Sequence, residues 1–215
     1  MRTDTAVGRA DLTLYAHRPP YAPPGAVVGL FGGSFNPPHA GHVLVAKTAL
    51  RVLRLKQLWW MVSRGNPLKD HGALASLEAR MVASCAQICH PKVRVTGFEA
   101  VIGSHYSFST LVYLKQRYPL IRFVWIMGSD SLAEFHHWKQ WQRIIEMVPV
   151  AIIDRPSTPM AALSSPMAQR YQKFRLLSRQ APLLGFLEPP AWVYLYGSRS
   201  NLSSSLLRDE AWMRR

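Results

Sequence analysis

A doubly wound α/β fold built on a parallel sheet is what this sequence predicts, and three observations predict it. Short apolar runs of strand length alternate with amphipathic stretches of helix length from Val27 onward. The first apolar run ends in a glycine-rich turn, Gly32-Gly33-Ser34-Phe35-Asn36-Pro37-Pro38-His39-Ala40-Gly41-His42, which opens a helix. The run with the strongest strand character, Ile121–Met127, ends in the same manner, in Gly128-Ser129-Asp130. Strand–turn–helix units of this kind join into a parallel sheet covered on both faces. Ligands of such sheets lie across the carboxyl ends of the strands.

Each element has a local reason. Residues 1–26 carry Pro19, Pro20, Pro23 and Pro24 without apolar periodicity, and they lack the apolar core of a secretory signal. They read as a flexible extension ahead of a single domain, 27–215. After the first strand a helix is expected from about His39 to Leu53, then a buried strand, Gln57–Val62. Gly65, Asn66, Pro67 and Gly72 mark a loop, and Ser76 caps a helix reaching about Cys89, with Glu78 where the dipole favours a carboxylate. A short strand covers Lys92–Thr96. Ser107 can cap a helix over Phe108–Arg117 that stops before Pro119. Beyond the strand at 121–127, a helix at Trp141–Met147 precedes a strand at Val150–Ile153. The Pro- and Ser-rich stretch 156–190 holds a helix near Met167–Leu177. A last strand at Ala191–Tyr196 and a helix from Ser203 form a small C-terminal extension to this Rossmann-like domain.

The chain has 215 residues, enough for one α/β domain with a real core, and its 48% apolar and 18% charged residues are a globular composition. No apolar stretch reaches the ~18 residues of a membrane span. With 26 Lys and Arg against 12 Asp and Glu, the formal charge of +14 attracts anions: nucleic acid, acidic lipid or small phosphorylated substrates. The basic residues never form a block of five, which weakens the nucleic-acid reading. Cys85 and Cys89, four apart on a predicted helix, read as reduced, half-buried residues, and a cytoplasmic setting is the expectation.

The turn at 32–42 carries the chemistry. Gly32 and Gly33 let backbone approach a ligand, and the helix start supplies N–H donors and the positive end of a dipole. Ser34 and Asn36 are turn formers, and Pro37-Pro38 sets the chain just ahead of the helix. A three-residue step places His39 and His42 on one helical face, where both imidazoles can address one oxyanion. Elsewhere, Asp130 at a βα turn can cap a helix or accept from ribose hydroxyls, and Trp138 offers a stacking face. Ser203 and Ser204, with Arg208 one turn on, are helix caps in isolation and a second phosphate cradle when paired with the first.

The run Gly33-Ser34-Phe35-Asn36-Pro37-Pro38-His39-Ala40-Gly41-His42 resembles the signature of the HxGH nucleotidyltransferases, in the form carried by nicotinate-mononucleotide adenylyltransferases. Further segments are similar to that family: Asn66-Pro67-Leu68-Lys69; Gly103 to Leu111; Gly128-Ser129-Asp130 with Trp138; and Leu202-Ser203-Ser204-Ser205-Leu206-Leu207-Arg208. The second segment departs from the family pattern Ser-Tyr-Thr-x-Asp-Thr-Leu: His105, Ser107 and Ser109 replace Ser, Thr and Asp.

The resemblance implies adenylyl transfer from ATP to nicotinate mononucleotide in NAD biosynthesis. It assigns His39, His42 and Arg208 to catalysis. ATP would meet Gly32, Gly33, Ser34, Phe35, His39, His42, Gly128, Asp130, Ser203, Ser204 and Arg208. Nicotinate mononucleotide would meet Asn36, Lys69, Tyr106, Ser107 and Trp138, and Arg80 would also face substrate phosphate. Mg²⁺ is expected on the ATP phosphates and on no protein cluster. Adenylyltransferases for nicotinamide mononucleotide or phosphopantetheine share the first motif and are the nearest alternatives. A basic nucleic-acid-binding module is the rival of another class, and it leaves the histidine pair unexplained.

Overall fold

A computed structural model describes residues 18–65, 74–104, 106–154 and 163–196. Among these residues seven strands form one sheet: β1 (Val27–Gly33), β2 (Gln57–Val62), β3 (Val93–Thr96), β4 (Arg122–Gly128), β5 (Val150–Ile153), β6 (Arg175–Leu176) and β7 (Trp192–Leu195). Their spatial order is β3-β2-β1-β4-β5-β7-β6, and every neighbouring pair is parallel. The helices are α1 (Ala40–Val52), α2 (Leu77–Gln87), α3 (Ser107–Arg117), α4 (Ser129–Glu134), α5 (Trp141–Met147) and α6 (Pro166–Arg170). The expected doubly wound architecture is present.

The strands are apolar at nearly every position because both faces are covered. Val28, Leu30, Trp59, Met61, Trp125, Met127, Ile152 and Trp192 point to the face packed by Leu111 and Leu114 of α3, Leu132 of α4 and Ile144 and Ile145 of α5. The alternate residues, among them Phe31, Trp60, Val62, Val124, Ile126 and Ile153, meet Val45, Ala46, Ala49 and Leu50 of α1 and Met81 of α2. One-residue alternation along each strand therefore sorts side chains between two cores.

Strand order reverses beside β1. The chain leaves β1 toward β2 and β3 on one side, and α3 brings it back to β4 on the other. Helices leaving the adjacent ends of β1 and β4 diverge, opening a crevice at the carboxyl edge. Gly33, Val62, Thr96, Gly128, Ile153 and Leu195 terminate their strands there.

Several boundaries differ from expectation. Ser107 is already helical, and its predecessor Tyr106 is the N-cap, with no side-chain cap bond. Gly128 caps α4, so Asp130 sits in the first turn and not at the cap. Cys89 lies past the end of α2 and is exposed, while Cys85 is half-buried. The single helix expected near 167–177 is the five-residue α6, a 3₁₀ turn at Gln172–Phe174 and the edge strand β6. Tertiary contact decides this: Trp192 donates from Nε1 to the Tyr171 carbonyl at 2.7 Å, and the Tyr171 hydroxyl donates to Glu146 at 2.6 Å. A 3₁₀ stretch at Ser178–Phe186 follows. Within residues 18–26, Ala22 and Ala26 are buried, and the Arg18 carbonyl accepts from the Thr96 hydroxyl at 3.4 Å. No helix among the described residues is long and apolar enough to cross a membrane.

Gly29, at the centre of β1, leaves no room for a side chain between Leu55, just past α1, and Ile126 of β4. A Cβ there would lie 2.6 Å from Leu55 Cδ1 and collide as well with Ile126 Cδ1. Both obstacles are buried side chains with little room to move. Gly29→Ala is expected to lower stability by about 1–3 kcal/mol, read as a lower urea midpoint at unchanged m-value.

Candidate active site

The turn after β1 is built around a buried ring. Phe35 takes φ +46°, a left-handed conformation that costs a non-glycine residue of order 1 kcal/mol. The compensation is burial: only 2% of Phe35 is exposed. Its ring lies 4.4 Å from that of Trp60 and meets Phe31 and His42 edge-on at 5.4 and 4.9 Å. Gly33 makes this possible, since a Cβ at 33 would come within 3.1 Å of the Phe35 ring. Phe35, expected among the ATP contacts, thus anchors the turn, and only its backbone is left for a ligand.

Past the anchor, the two histidines cap α1 reciprocally. His39 is the N-cap: its Nδ1 accepts from the Gly41 N–H at 3.1 Å, and the His39 N–H donates to His42 Nδ1 at 3.2 Å. This is a capping box with imidazoles in place of hydroxyl and carboxylate. An Nδ1 that accepts from an N–H carries no proton, so in both rings the proton sits on Nε2. The ring centroids are 3.8 Å apart, and both residues are buried. Backbone donors of the first turn, expected to address a ligand directly, are partly spent on these rings. The imidazoles pass that donor character on as Nε2–H groups, at the positive end of the helix dipole.

Arg80 fastens this turn to the next loop. It is 3% exposed, and its guanidinium donates to three backbone carbonyls: Nη1 to Ser34 at 2.7 Å and Ser63 at 2.6 Å, Nε to Ala75 at 2.9 Å. Burial lowers its pKa, and Glu78 opposes that shift. The Ala75 N–H donates to Asn36 Oδ1 at 3.3 Å, a second tie between the same segments. Arg80, expected to face substrate phosphate, is engaged here as a clamp on carbonyls.

Across the crevice, β4 ends in Gly128 with Ser129 buried and Asp130 exposed in the first turn of α4. Trp138, half-buried, packs edge-on against Phe135 and Trp125 at 5.3 and 6.2 Å. Its neighbour Lys139 holds its ammonium 4.5 Å over the ring of Tyr106, itself 40% exposed. The Trp138 segment and the start of α3 therefore meet. Beneath Tyr106 lies a polar chain: Ser104 Oγ donates to the Tyr106 carbonyl at 3.0 Å and touches Thr110 Oγ1 at 2.9 Å, and Thr110 reaches Glu99 Oε1 at 2.8 Å. At the far side, the Tyr194 hydroxyl donates to Asp154 at 2.7 Å, and its pKa is raised by burial and by that carboxylate.

Residues 30–210 match the family model described as Cytidylyltransferase-like. A relative from Agrobacterium fabrum, named "Probable nicotinate-nucleotide adenylyltransferase", is 51% identical over 183 residues, 85% of this chain and 98% of its own. One of the same name from Mesorhizobium japonicum is 50% identical over 192 residues, 89% of this chain and 98% of its own. The chain belongs to the nicotinate-nucleotide adenylyltransferase family of cytidylyltransferase-like proteins. Among solved structures, Plasmodium falciparum nicotinic acid mononucleotide adenylyltransferase complexed with NaAD matches with a TM-score of 0.63 at 17% identity, over 86% of this chain and 83% of that one. Likeness at that identity concerns the fold.

Of the residues that the family motifs single out, the structure brings two groups to the carboxyl edge. Gly32, Gly33, Ser34, Asn36, His39 and His42 gather at and just after the end of β1; Gly128, Asp130 and Trp138 lie at and after the end of β4, and Tyr106, which precedes Ser107 at the start of α3, reaches the same segment through Lys139. Lys69, His105, Ser203, Ser204 and Arg208 lie outside the described residues. Motif reading missed Glu99 and the role of Arg80. The available signal was an acidic residue in the apolar segment Phe98-Glu99-Ala100-Val101 and an arginine on the core face of α2. Arg80→Ala leaves three carbonyls without their donor. It is expected to cost about 2–4 kcal/mol of stability by denaturant unfolding, with Arg80→Lys recovering only part because an ammonium cannot fork across the same spans.

Proposed function

We propose that this protein transfers the adenylyl group of ATP to nicotinate mononucleotide, giving nicotinate adenine dinucleotide and pyrophosphate in NAD biosynthesis. The observation that carries the reading is the reciprocal histidine cap at the β1 end of the crevice, in a chain about half identical to relatives named for this activity. The 5′-phosphate oxygen of nicotinate mononucleotide attacks the α-phosphorus of ATP in line. One P–O bond forms as the bond to the β-phosphate oxygen breaks, and no protein nucleophile is needed.

In this reading His39 and His42 donate from Nε2 to triphosphate oxygens, where charge grows as pyrophosphate leaves. Their tautomer suits that task and unfits them as metal ligands, since the nitrogen not held by backbone N–H carries the proton. Mg²⁺ would accordingly be carried on the ATP phosphates, where it would neutralise charge on the leaving group. Gly32, Gly33 and Ser34 supply close backbone, and Gly128 and Asp130 serve the adenosine side. Ser203, Ser204 and Arg208 are assigned the β- and γ-phosphates, by resemblance. Asn36, Lys69, Tyr106, Ser107 and Trp138 are assigned nicotinate mononucleotide, the indole stacking on the pyridine.

The test is pyrophosphate release from MgATP with nicotinate mononucleotide, nicotinamide mononucleotide and phosphopantetheine in parallel. Turnover fastest with the first is expected, and none with any of them would refute the reading. Folded His42→Ala is expected to lose about 10²–10³ in kcat; turnover near the wild-type rate would remove the histidines from the mechanism.

A further inference from the structure

The buried chain under Tyr106 does not balance if its carboxyl group is ionised. Three contacts link four groups: Glu99 Oε1 to Thr110 Oγ1 at 2.8 Å, Thr110 Oγ1 to Ser104 Oγ at 2.9 Å, and Ser104 Oγ to the Tyr106 carbonyl at 3.0 Å. Each contact needs one hydrogen, and two hydroxyls bring only two. With a carboxylate at the head, Thr110 spends its hydrogen on Glu99. Ser104 can then serve Thr110 or Tyr106 but not both, and one contact sets lone pair against lone pair. A further approach of Thr110 Oγ1 to the Tyr106 carbonyl, at 3.4 Å, only adds to the demand. A carboxylic acid at Glu99 supplies the third hydrogen. Every bond then points one way, from Glu99 through Thr110 and Ser104 to the loop.

We propose that Glu99, as the neutral acid, is a positioning residue for the nicotinate-mononucleotide loop, holding the Tyr106 carbonyl through Thr110 and Ser104 and releasing it on ionisation. The proposal rests on the reading of Tyr106 and Ser107 as part of that subsite. Its leverage comes from the cap position: Tyr106 starts α3 without any side-chain cap, so the Ser104 bond fixes the backbone entering the helix. Glu99 is 7% exposed, Ser104 8% and Thr110 fully buried, so the chain is largely shielded from solvent.

The surroundings favour the acid. Burial pushes the Glu99 pKa up to about 7, against the opposing pull of the Thr110 bond. Among the described residues, the titratable groups on the packed elements have other partners. Arg94 of β3 donates to the Pro91 and Val93 carbonyls, Tyr113 of α3 stacks its ring on Phe98, and Lys139 sits over the Tyr106 ring. The sign follows. A carboxyl whose folded pKa is raised binds its proton more tightly folded than unfolded, so its ionisation destabilises the loop as pH rises through about 7. Loop order is present below that pH and lost above it.

The test compares wild type with Glu99→Gln, whose amide donates to Thr110 at every pH. From about pH 6 to about pH 9 the wild-type KM for nicotinate mononucleotide is expected to rise about three- to tenfold relative to Glu99→Gln, with KM for ATP unchanged. Both proteins share the substrate's own titration, so the ratio isolates Glu99. Thr110→Val breaks the chain and should raise that KM across the range, with Thr110→Ser restoring it. In ligand-free protein, the infrared C=O band of a buried carboxylic acid should fade as pH passes about 7 and be missing from Glu99→Gln. Parallel KM profiles, or no acid band at about pH 6, would overturn the proposal. If the band titrates as expected while neither protein turns over nicotinate mononucleotide, the proton chain stands and the substrate reading falls.

Discussion

The exchange of hydrogen bonds between His39 and His42 is the constraint on which the β1 end of the crevice depends. A helix N-terminus normally caps itself with a hydroxyl or carboxylate, and its remaining donors face outward. Here the cap is made by the residues proposed for catalysis, so helix start and chemical groups cannot be placed independently. Two backbone N–H groups fix the tautomer of both rings, and the rings pack 3.8 Å apart. A donor pair of this kind is preorganised: its orientation is settled by folding and needs no rearrangement when charge develops.

That cap holds its place because its surroundings are overdetermined. Phe35 accepts a left-handed backbone in return for a slot between Phe31, Trp60 and His42, so aromatic packing sets the entry direction of α1. Arg80 joins Ser34 to Ser63 and Ala75, making one unit of the loops after β1 and β2. A guanidinium spanning three carbonyls is a rigid spacer at low dielectric, where each charge-assisted bond is strong. On the opposite face of the sheet a chain of side chains, Glu99, Thr110 and Ser104, does the analogous work. The two faces of the sheet are thus held at this edge by different means, a cation on one and a carboxyl group on the other.

Much of this was legible from residue order. The strand–turn–helix alternation, the boundaries of α1, β2, α5 and β5, the Ser76 cap and the His39–His42 pairing all follow from local pattern, because apolar period and cap chemistry act within a few residues. The stretch 163–177 was not legible. Its breakup into α6, a 3₁₀ turn and β6 is imposed by Trp192 and Glu146, which are distant in sequence. Nor did the motifs show that Phe35 turns inward, or that Arg80 is spent on carbonyls. A side chain's chemical type says what it can bond, and only its neighbours say what it does bond.

The amino-acid order by itself determined the fold class and which motifs fall at the carboxyl edge, with phosphate binding as their expected chemistry. Each of these is written in short contiguous runs, where the spacing of histidines and glycines is already a geometry. Tertiary structure alone decided which nitrogen of each imidazole carries the proton, which arginine became a clamp, and which glutamate is buried with no cation beside it among the described residues. Those outcomes depend on desolvation and on hydrogen-bond partners 11 residues away for Glu99 and 46 for Arg80. Distances in space of that kind are set by the packing of the whole sheet and by no local rule.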